Sequence, residues 1–173
     1  MNTTFYNLSF GRQLVLIHDY FPHDVYSALL KLTTTTVWEN SKQANRQSSE
    51  IDNQFVKNEA VTHIEMWTGK PQKFLFCCLW KDTEGLEYPR HTDKGLFSKR
   101  HNHIQIYLNE SESINGMGTR FHHSIFHRKP TLELSYTGNA GYFINCSQTV
   151  FHSVAPVPKN KVRYSLYARF ESL

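Results

Sequence analysis

His91 and Asp93 are the residues whose types and spacing first suggest chemistry in this sequence. Residues two apart on an extended strand project from the same face, so we expect this imidazole and this carboxylate to point to one place. Such a pair suits Fe(II) or a similar divalent ion, and a third ligand has to come from elsewhere in the chain. We expect His152 to complete a triad of two histidines and one carboxylate, which leaves coordination positions open for substrates.

A second group of polar residues lies near the C-terminal end, where residues 162–170 alternate as a strand does. Arg163 and Ser165 share one face of this strand, and a buried arginine there needs an anion. Its planar fork matches a carboxylate, to which the serine adds a hydroxyl, so the pattern indicates a small dicarboxylate ligand. Lys161 has the same parity as Arg163 and stays an alternative anchor, although a bidentate contact favours arginine.

Composition indicates one folded domain over residues 1–173, because 39% hydrophobic and 20% charged residues are ordinary for a globular protein. The formal charge of +4 is too small to indicate nucleic-acid binding. Three cysteines without CxxC spacing favour a reducing compartment over a disulfide framework. With no apolar run near the length of a membrane span, we expect a cytoplasmic protein, either monomer or homodimer.

The hydrophobic pattern predicts a mainly β protein with an N-terminal helix. A strand at 14–17 is followed by a helix with Val25, Ala28, Leu29 and Leu32 on one face, and a short strand at 37–38. The polar residues 39–53 are expected to be a solvated loop or a substrate lid, and 55–67 stay unassigned. Eight further strands are expected at 74–80, 88–93, 103–109, 121–127, 131–135, 141–145, 150–154 and 162–170. They favour a jelly-roll, cupin-like double-stranded β-helix core over about 71–173, after a helical leader over about 1–70.

Six segments in the same order resemble the 2-oxoglutarate and Fe(II)-dependent oxygenases, in their prolyl-hydroxylase-like branch. They are Gly85-x-x-Tyr88-x-x-His91-x-Asp93, Tyr107-Leu-Asn, Gly116-Met-Gly-Thr-Arg-Phe, Gly141-Tyr-Phe-Ile-Asn, His152-Ser-Val-Ala-Pro and Arg163-Tyr-Ser-Leu. Lys81 departs from the pattern, because relatives often carry a tyrosine there. The resemblance covers about residues 74–170.

The resemblance implies a role for each matching residue. His91, Asp93 and His152 would hold Fe(II), Arg163 with Ser165 would bind the distal carboxylate of 2-oxoglutarate, and Tyr107 would hydrogen-bond this cosubstrate. Tyr88 is expected in the pocket wall. In this family, O2 and 2-oxoglutarate are consumed to hydroxylate a C–H bond, with release of succinate and CO2. The carboxylate of Asp93 favours hydroxylation over halogenation.

The substrate stays open between a protein or peptide side chain, such as proline, and a free amino acid or small metabolite. One alternative is a cupin-like binding protein that keeps a metal or small molecule without turnover. Another is an oxygenase that demethylates nucleic acids, with a tryptophan stacked on a base, although we expect Trp38, Trp67 and Trp80 in the core or pocket wall.

Other histidines are expected at the surface or facing the substrate: His101, His103, His122, His123 and His127. The basic residues 94–102 are expected to form a solvated loop, or to border the mouth of the site and receive an acidic substrate.

Overall fold

The structure is a computed structural model that describes residues 1–8, 12–93, 101–110, 113–126 and 128–173. Its helices are α1 (His23–Thr35) and α2 (Val61–Thr68), the second continuing a π-helical turn (Val56–Ala60). Its strands are β1 (Asn2–Leu8), β2 (Arg12–His18), β3 (Glu39–Asn40), β4 (Arg46–Glu50), β5 (Gln72–Asp82), β6 (Tyr88–His91), β7 (His101–Leu108), β8 (Ile114–His122), β9 (Leu132–Tyr136), β10 (Gly141–Asn145), β11 (Phe151–Val154) and β12 (Arg163–Ser172).

The strands form two antiparallel sheets. The larger sheet has the order β1-β2-β10-β7-β12-β5-β4-β3, and the smaller one has the order β6-β11-β8-β9. Several neighbours come from distant parts of the sequence, as when β12 lies between β5 and β7. The mainly β, jelly-roll fold predicted from the sequence is therefore confirmed.

The larger sheet is covered by the helices on one face, and its other face looks toward the smaller sheet. On β2, Val15 and Ile17 pack in the helix-side core, whereas Leu14 and Leu16 pack between the sheets. On β12, Leu166, Ala168 and Phe170 likewise belong to the helix side. Because side chains alternate along a strand, Arg163, Ser165, Tyr167 and Arg169 belong to the face between the sheets, as the sequence predicts.

The predicted first helix is confirmed as α1, but its buried face is rotated from the predicted stripe. Leu29 and Thr33 are buried and Val25 packs beside them, whereas Ala28 and Leu32 are exposed. Residues 55–67, which the pattern left unassigned, form the π-helical turn and α2. Val56, Ala60 and Ile64 of this segment are fully buried against the sheet.

The N-terminal part of the chain contains more strand than the sequence predicts. The expected loop at 39–53 is wrong in part, because β3 and β4 form there and β4 pairs with β5. Residues 37–38 are not a strand, and β1 was not predicted. The pattern did not predict β3 and β4 because backbone hydrogen bonds to neighbouring strands can form without a run of alternating apolar residues.

Strand β8 also differs from its prediction at 121–127. It begins at Ile114 and ends at His122, and it contains Gly116 at a φ of 77°. Its pairing with β9 shifts register between Ile114 and Thr119, so the glycine lies at an irregularity inside the strand. His127 lies outside the described residues. Neither described helix combines the length and apolar character that crossing a membrane requires.

Candidate metal and cosubstrate site

A cavity of about 270 Å³ opens between the two sheets, and four of the predicted site residues line it. They are His91, Asp93, His152 and Arg163. Gly85, at a φ of 82°, turns the chain between β5 and β6 in a conformation that favours glycine. This turn leads the chain from the larger sheet into the smaller one, where the first two ligand candidates follow.

The three candidate metal ligands converge because β6 and β11 are neighbours. His91 and His152 are direct partners in the antiparallel pairing of these strands. The Nε2 atoms of His91 and His152 lie 3.7 and 3.8 Å from carboxylate oxygens of Asp93. One ligand atom from each of the three lies within 4.8 Å of the others. Two atoms bound about 2.1 Å from one ion are at most about 4.2 Å apart, so both separations from Asp93 suit a shared divalent ion.

The backbone orients both imidazoles with Nε2 toward this point. His91 Nδ1 lies 2.8 Å from the carbonyl oxygen of Pro89, and His152 Nδ1 lies 3.2 Å from that of Val150. A carbonyl oxygen only accepts, so each Nδ1 carries the hydrogen that it donates. In the neutral ring this leaves the Nε2 lone pair for a metal, which is the arrangement that metal-binding histidines need.

Burial keeps His152 neutral. It lowers the pKa of His152 to about 4, against the opposing effect of the Asp93 carboxylate. Two imidazole nitrogens and one carboxylate are a ligand set that fits Fe(II) or a similar ion.

His103 was expected at the surface or facing the substrate, and the structure places it buried in the cavity wall. Its Nε2 lies 3.5 Å from Asp93 Oδ2, and its Nδ1 lies 3.6 Å from the Cys146 thiol. These three residues form a second group of potential metal ligands that shares Asp93 with the first. His103 therefore contacts the carboxylate oxygen that also faces His152.

His101, His122 and His123 belong to neither group of potential ligands. His122 is buried rather than at the surface, with Nε2 2.8 Å from the Ser153 hydroxyl, whereas His123 is exposed. His101 is half-buried at the start of β7. Of the basic segment at 94–102, residues 94–100 lie outside the described part of the chain.

Arg163 is fully buried, but the protein itself supplies the anion that the sequence led us to expect from a ligand. Its Nε and Nη2 donate to Asp82 Oδ2 at 3.1 and 2.7 Å, and its Nη1 donates to the Met117 carbonyl at 2.8 Å. Burial of Arg163 alone therefore does not require a dicarboxylate. Lys161, the alternative anchor, is exposed.

Arg46 lines the cavity but was not predicted from the sequence as a site residue. It lies on β4, inside the expected loop, and donates to both oxygens of Asp82 at 2.6 and 2.9 Å. Burial lowers its pKa, but the hydrogen bonds and charge of Asp82 outweigh that effect, so the pKa of Arg46 lies above its usual value. The only sequence signal was a single arginine in a polar stretch.

Tyr107 and Ser165, the other predicted cosubstrate contacts, are buried beside the cavity. The Tyr107 hydroxyl bonds that of Thr119 at 2.7 Å, and the Ser165 hydroxyl accepts from Gln105 at 3.1 Å. Gln105 does line the cavity, where its carbonyl oxygen accepts from the Tyr142 hydroxyl at 2.7 Å. Burial raises the pKa of Tyr142 well above its usual value, so this hydroxyl stays protonated and donates.

Aromatic rings form one wall of the cavity. Trp80 stacks on Tyr167 with ring centroids 4.2 Å apart, and the Arg46 guanidinium lies 4.0 Å over the Trp80 ring. Tyr88 lines the cavity as expected, and its hydroxyl contacts Arg46 and Gln43. Trp38 and Trp67 pack against the helix-side core, as predicted. Trp80 already has an aromatic partner on one face, which disfavours a role as a base-stacking platform.

A surface groove adjoins the cavity and shares Tyr88 and Val154 with it. It is lined by Glu87, Pro89, Arg90, Arg120, Arg128 and Pro156, among others. The Arg120 guanidinium pairs with Glu133 at 3.1 Å. Its residues Arg120, His122 and Ser153 alternate along β8 and β11 with Phe121 and His152, which face inward, so this groove lies on the outer face of the smaller sheet.

No protein-family profile and no curated protein sequence matches this chain. Solved structures match it in fold, over more than nine-tenths of its length. The non-haem α-ketoglutarate-dependent epimerase SnoN from nogalamycin biosynthesis has a TM-score of 0.69 at 11% identity, with 92% of this chain and 76% of that chain covered. A Pseudomonas putida prolyl-4-hydroxylase has a TM-score of 0.66 at 17% identity, with 92% of each chain covered. An oxidoreductase of the 2OG-Fe(II) oxygenase family from Burkholderia pseudomallei has a TM-score of 0.68 at 10% identity, with 91% of this chain and 84% of that chain covered. At these identities the comparison shows a shared fold.

Proposed function

We propose that this chain, which has the fold of the 2-oxoglutarate and Fe(II)-dependent oxygenases, is itself an oxygenase that hydroxylates a C–H bond of its substrate. The observation that carries the proposal is the convergence of His91, Asp93 and His152 in a cavity that also holds buried arginines. The solved structures of similar fold include proteins named for this chemistry, which supports the same assignment here.

His91, Asp93 and His152 would hold Fe(II) through two neutral nitrogens and one carboxylate. With 2-oxoglutarate and O2, iron held by these residues would supply an oxidant strong enough for an unactivated C–H bond, with release of succinate and CO2. Arg163 would attract the distal carboxylate of 2-oxoglutarate. Gln105 and the protonated Tyr142 hydroxyl form a fixed polar wall, while Trp80 and Tyr167 limit access of water.

For the substrate, a peptide side chain such as proline is the first candidate. The likeness to a prolyl-4-hydroxylase over 92% of both chains supports this candidate. Free amino acids and small metabolites are the second candidate, because the epimerase SnoN shows that this fold also serves small-molecule biosynthesis.

The test begins without oxygen. Fe(II) and 2-oxoglutarate are added to the protein, the visible charge-transfer band of the complex is recorded, and oxygen is then admitted while succinate is measured. We expect a band in the wild type and none in a His91→Ala variant. A cupin-like binding protein without turnover would bind metal but release no succinate.

The substrate class is tested by measuring succinate release with prolyl peptides and with free amino acids, followed by mass analysis of the product. Hydroxylation adds 16 Da, the mass of one oxygen atom, whereas an epimerisation leaves the mass unchanged. Peptide substrates are expected to raise succinate release above the background without substrate. Equal background with every peptide would reject the peptide assignment.

A further inference from the structure

Asp82 lies between two buried arginines, Arg46 and Arg163. The Asp82 carboxylate is fully buried at the end of β5, where it accepts two hydrogen bonds from Arg46 and two from Arg163. Both guanidiniums line the cavity that contains the metal ligands. The two arginines reach it from different strands, β4 and β12.

The charges of this group show why one arginine does not suffice. Asp82 and Arg163 together carry no net charge, so a dicarboxylate bound against this pair alone would bury an uncompensated negative charge. Arg46 gives the group of three a net charge of +1. One carboxylate of an incoming ligand then makes the assembly neutral.

The geometry leaves donors for such a ligand. A guanidinium has five N–H donors. Among the described residues, Arg46 uses three, two toward Asp82 and one toward the Tyr88 hydroxyl, and Arg163 uses three, two toward Asp82 and one toward the Met117 carbonyl. Two donors remain on each.

The wall around Arg46 holds its guanidinium in a defined place. Trp80 covers one face at 4.0 Å, and the Tyr88 ring lies 5.1 Å away. Because these contacts and the bond to Asp82 fix the side chain before a ligand arrives, little further ordering is needed on binding.

We propose that Arg46 is a second anchor for the distal carboxylate of 2-oxoglutarate, acting together with Arg163 across Asp82. This inference rests on the proposed function. Arg163 supplies hydrogen bonds from the last strand, and Arg46 supplies the positive charge that Asp82 removes from Arg163. A 2-oxo acid that lacks the distal carboxylate gains nothing from Arg46.

The experiment is isothermal titration calorimetry of the Fe(II)-loaded protein without oxygen. Two ligands are compared: 2-oxoglutarate, and 2-oxobutanoate, which keeps the metal-chelating end but lacks the distal carboxylate. In an Arg46→Gln variant we expect 2-oxoglutarate to bind about 10- to 100-fold more weakly, as for a lost charged hydrogen bond. The affinity for 2-oxobutanoate should stay unchanged, which also shows that the variant is folded.

An Arg46→Met variant of similar side-chain length serves if the glutamine variant does not fold, and Lys161→Gln controls for the loss of one exposed positive charge. The control should bind both ligands as the wild type does. If Arg46→Gln or Arg46→Met weakens both ligands equally, or neither, Arg46 is not an anchor. If the wild type binds neither ligand, the proposed function fails, which is a different result.

Discussion

His91 on β6 and His152 on β11 lie directly opposite each other in the smaller sheet, with ring centroids 4.2 Å apart. This pairing shifts register between His152 and Val154, so the two strands are regular at the histidines and irregular just beyond them. The backbone pairing therefore fixes the separation of two metal-ligand candidates before any metal binds. Asp93, two residues after His91, then completes the group from the end of β6.

Replacing either histidine should remove metal binding. In His91→Ala or His152→Ala we expect Fe(II) or Mn(II) to bind more than about 100-fold more weakly, because losing a ligand costs more than losing a residue that only orients one. Calorimetric titration with Mn(II) measures this without oxygen chemistry. His123→Ala, at an exposed position next to β8, is the matched control and should bind metal normally. Normal metal affinity in both ligand variants would place the metal elsewhere.

Substitutions at Arg163 and at Lys161 should have different effects on the affinity for 2-oxoglutarate. We expect Arg163→Lys to weaken 2-oxoglutarate by about 100-fold, or about 3 kcal/mol, because lysine cannot reproduce the fork that faces Asp82 and the cavity. Lys161→Ala should leave this affinity unchanged, since its side chain is exposed. Fluorescence titration with 2-oxoglutarate on the metal-loaded protein measures both. The reverse ranking would show that Lys161 is the anchor.

The convergence of His91, Asp93 and His152 could be predicted from the sequence because each lies in a short, ordered motif, although β6 ends at His91 and Asp93 follows in a bend rather than in the predicted strand over 88–93. The alternation in β12 likewise predicted which residues face the cavity. Arg46 could not be predicted in this way. It lies in a polar strand without alternation, and its partner Asp82 is distant in sequence, so only the tertiary pairing of β4 with β5 reveals the contact. The role of His103 was hidden for a similar reason, because a histidine in a strand gives no sign of its burial against Asp93.

The thiols of β5 should be unreactive in the native protein. Burial raises the pKa of Cys78 to about 12 and that of Cys77 well above its usual value. Near pH 9 an unfolded cysteine is largely ionised, whereas these two stay protonated, so we expect iodoacetamide to modify them more than about 100-fold more slowly than in urea. Peptide mass mapping after timed labelling measures each site. Rapid labelling of the native protein would contradict the burial of β5.

The raised pKa values of Cys77 and Cys78 also make the free energy of unfolding depend on pH. Above pH 9 the unfolded state loses thiol protons that the native state keeps, so the free energy of unfolding should fall as the pH rises from about 9 toward 12. Urea unfolding at pH 8 and pH 10, with a reductant present, tests the direction. A Cys77→Ala variant should show a smaller decrease between these two pH values than the wild type does. An identical decrease would assign the effect to other groups.

Gly141 lies on β10 opposite Ile106 of β7, and its replacement should test how far the sheet supports the site. A Cβ atom at this position would overlap the carbonyl oxygen of Gln105 in the neighbouring strand. Because backbone cannot rotate away as a side chain can, we expect Gly141→Ala to lower the free energy of unfolding by about 3 kcal/mol, at the upper end of overpacking costs.

Gly69→Ala is the matched control, since Gly69 has a φ of 66° but no atom within 4 Å of an added Cβ. It should cost only about 1 kcal/mol, from backbone conformation alone. Urea unfolding measures both, and equal costs would show that β7 and β10 separate easily enough to accept a methyl group. If the larger cost is found, metal affinity in Gly141→Ala should also fall, because β7 carries His103 against Asp93.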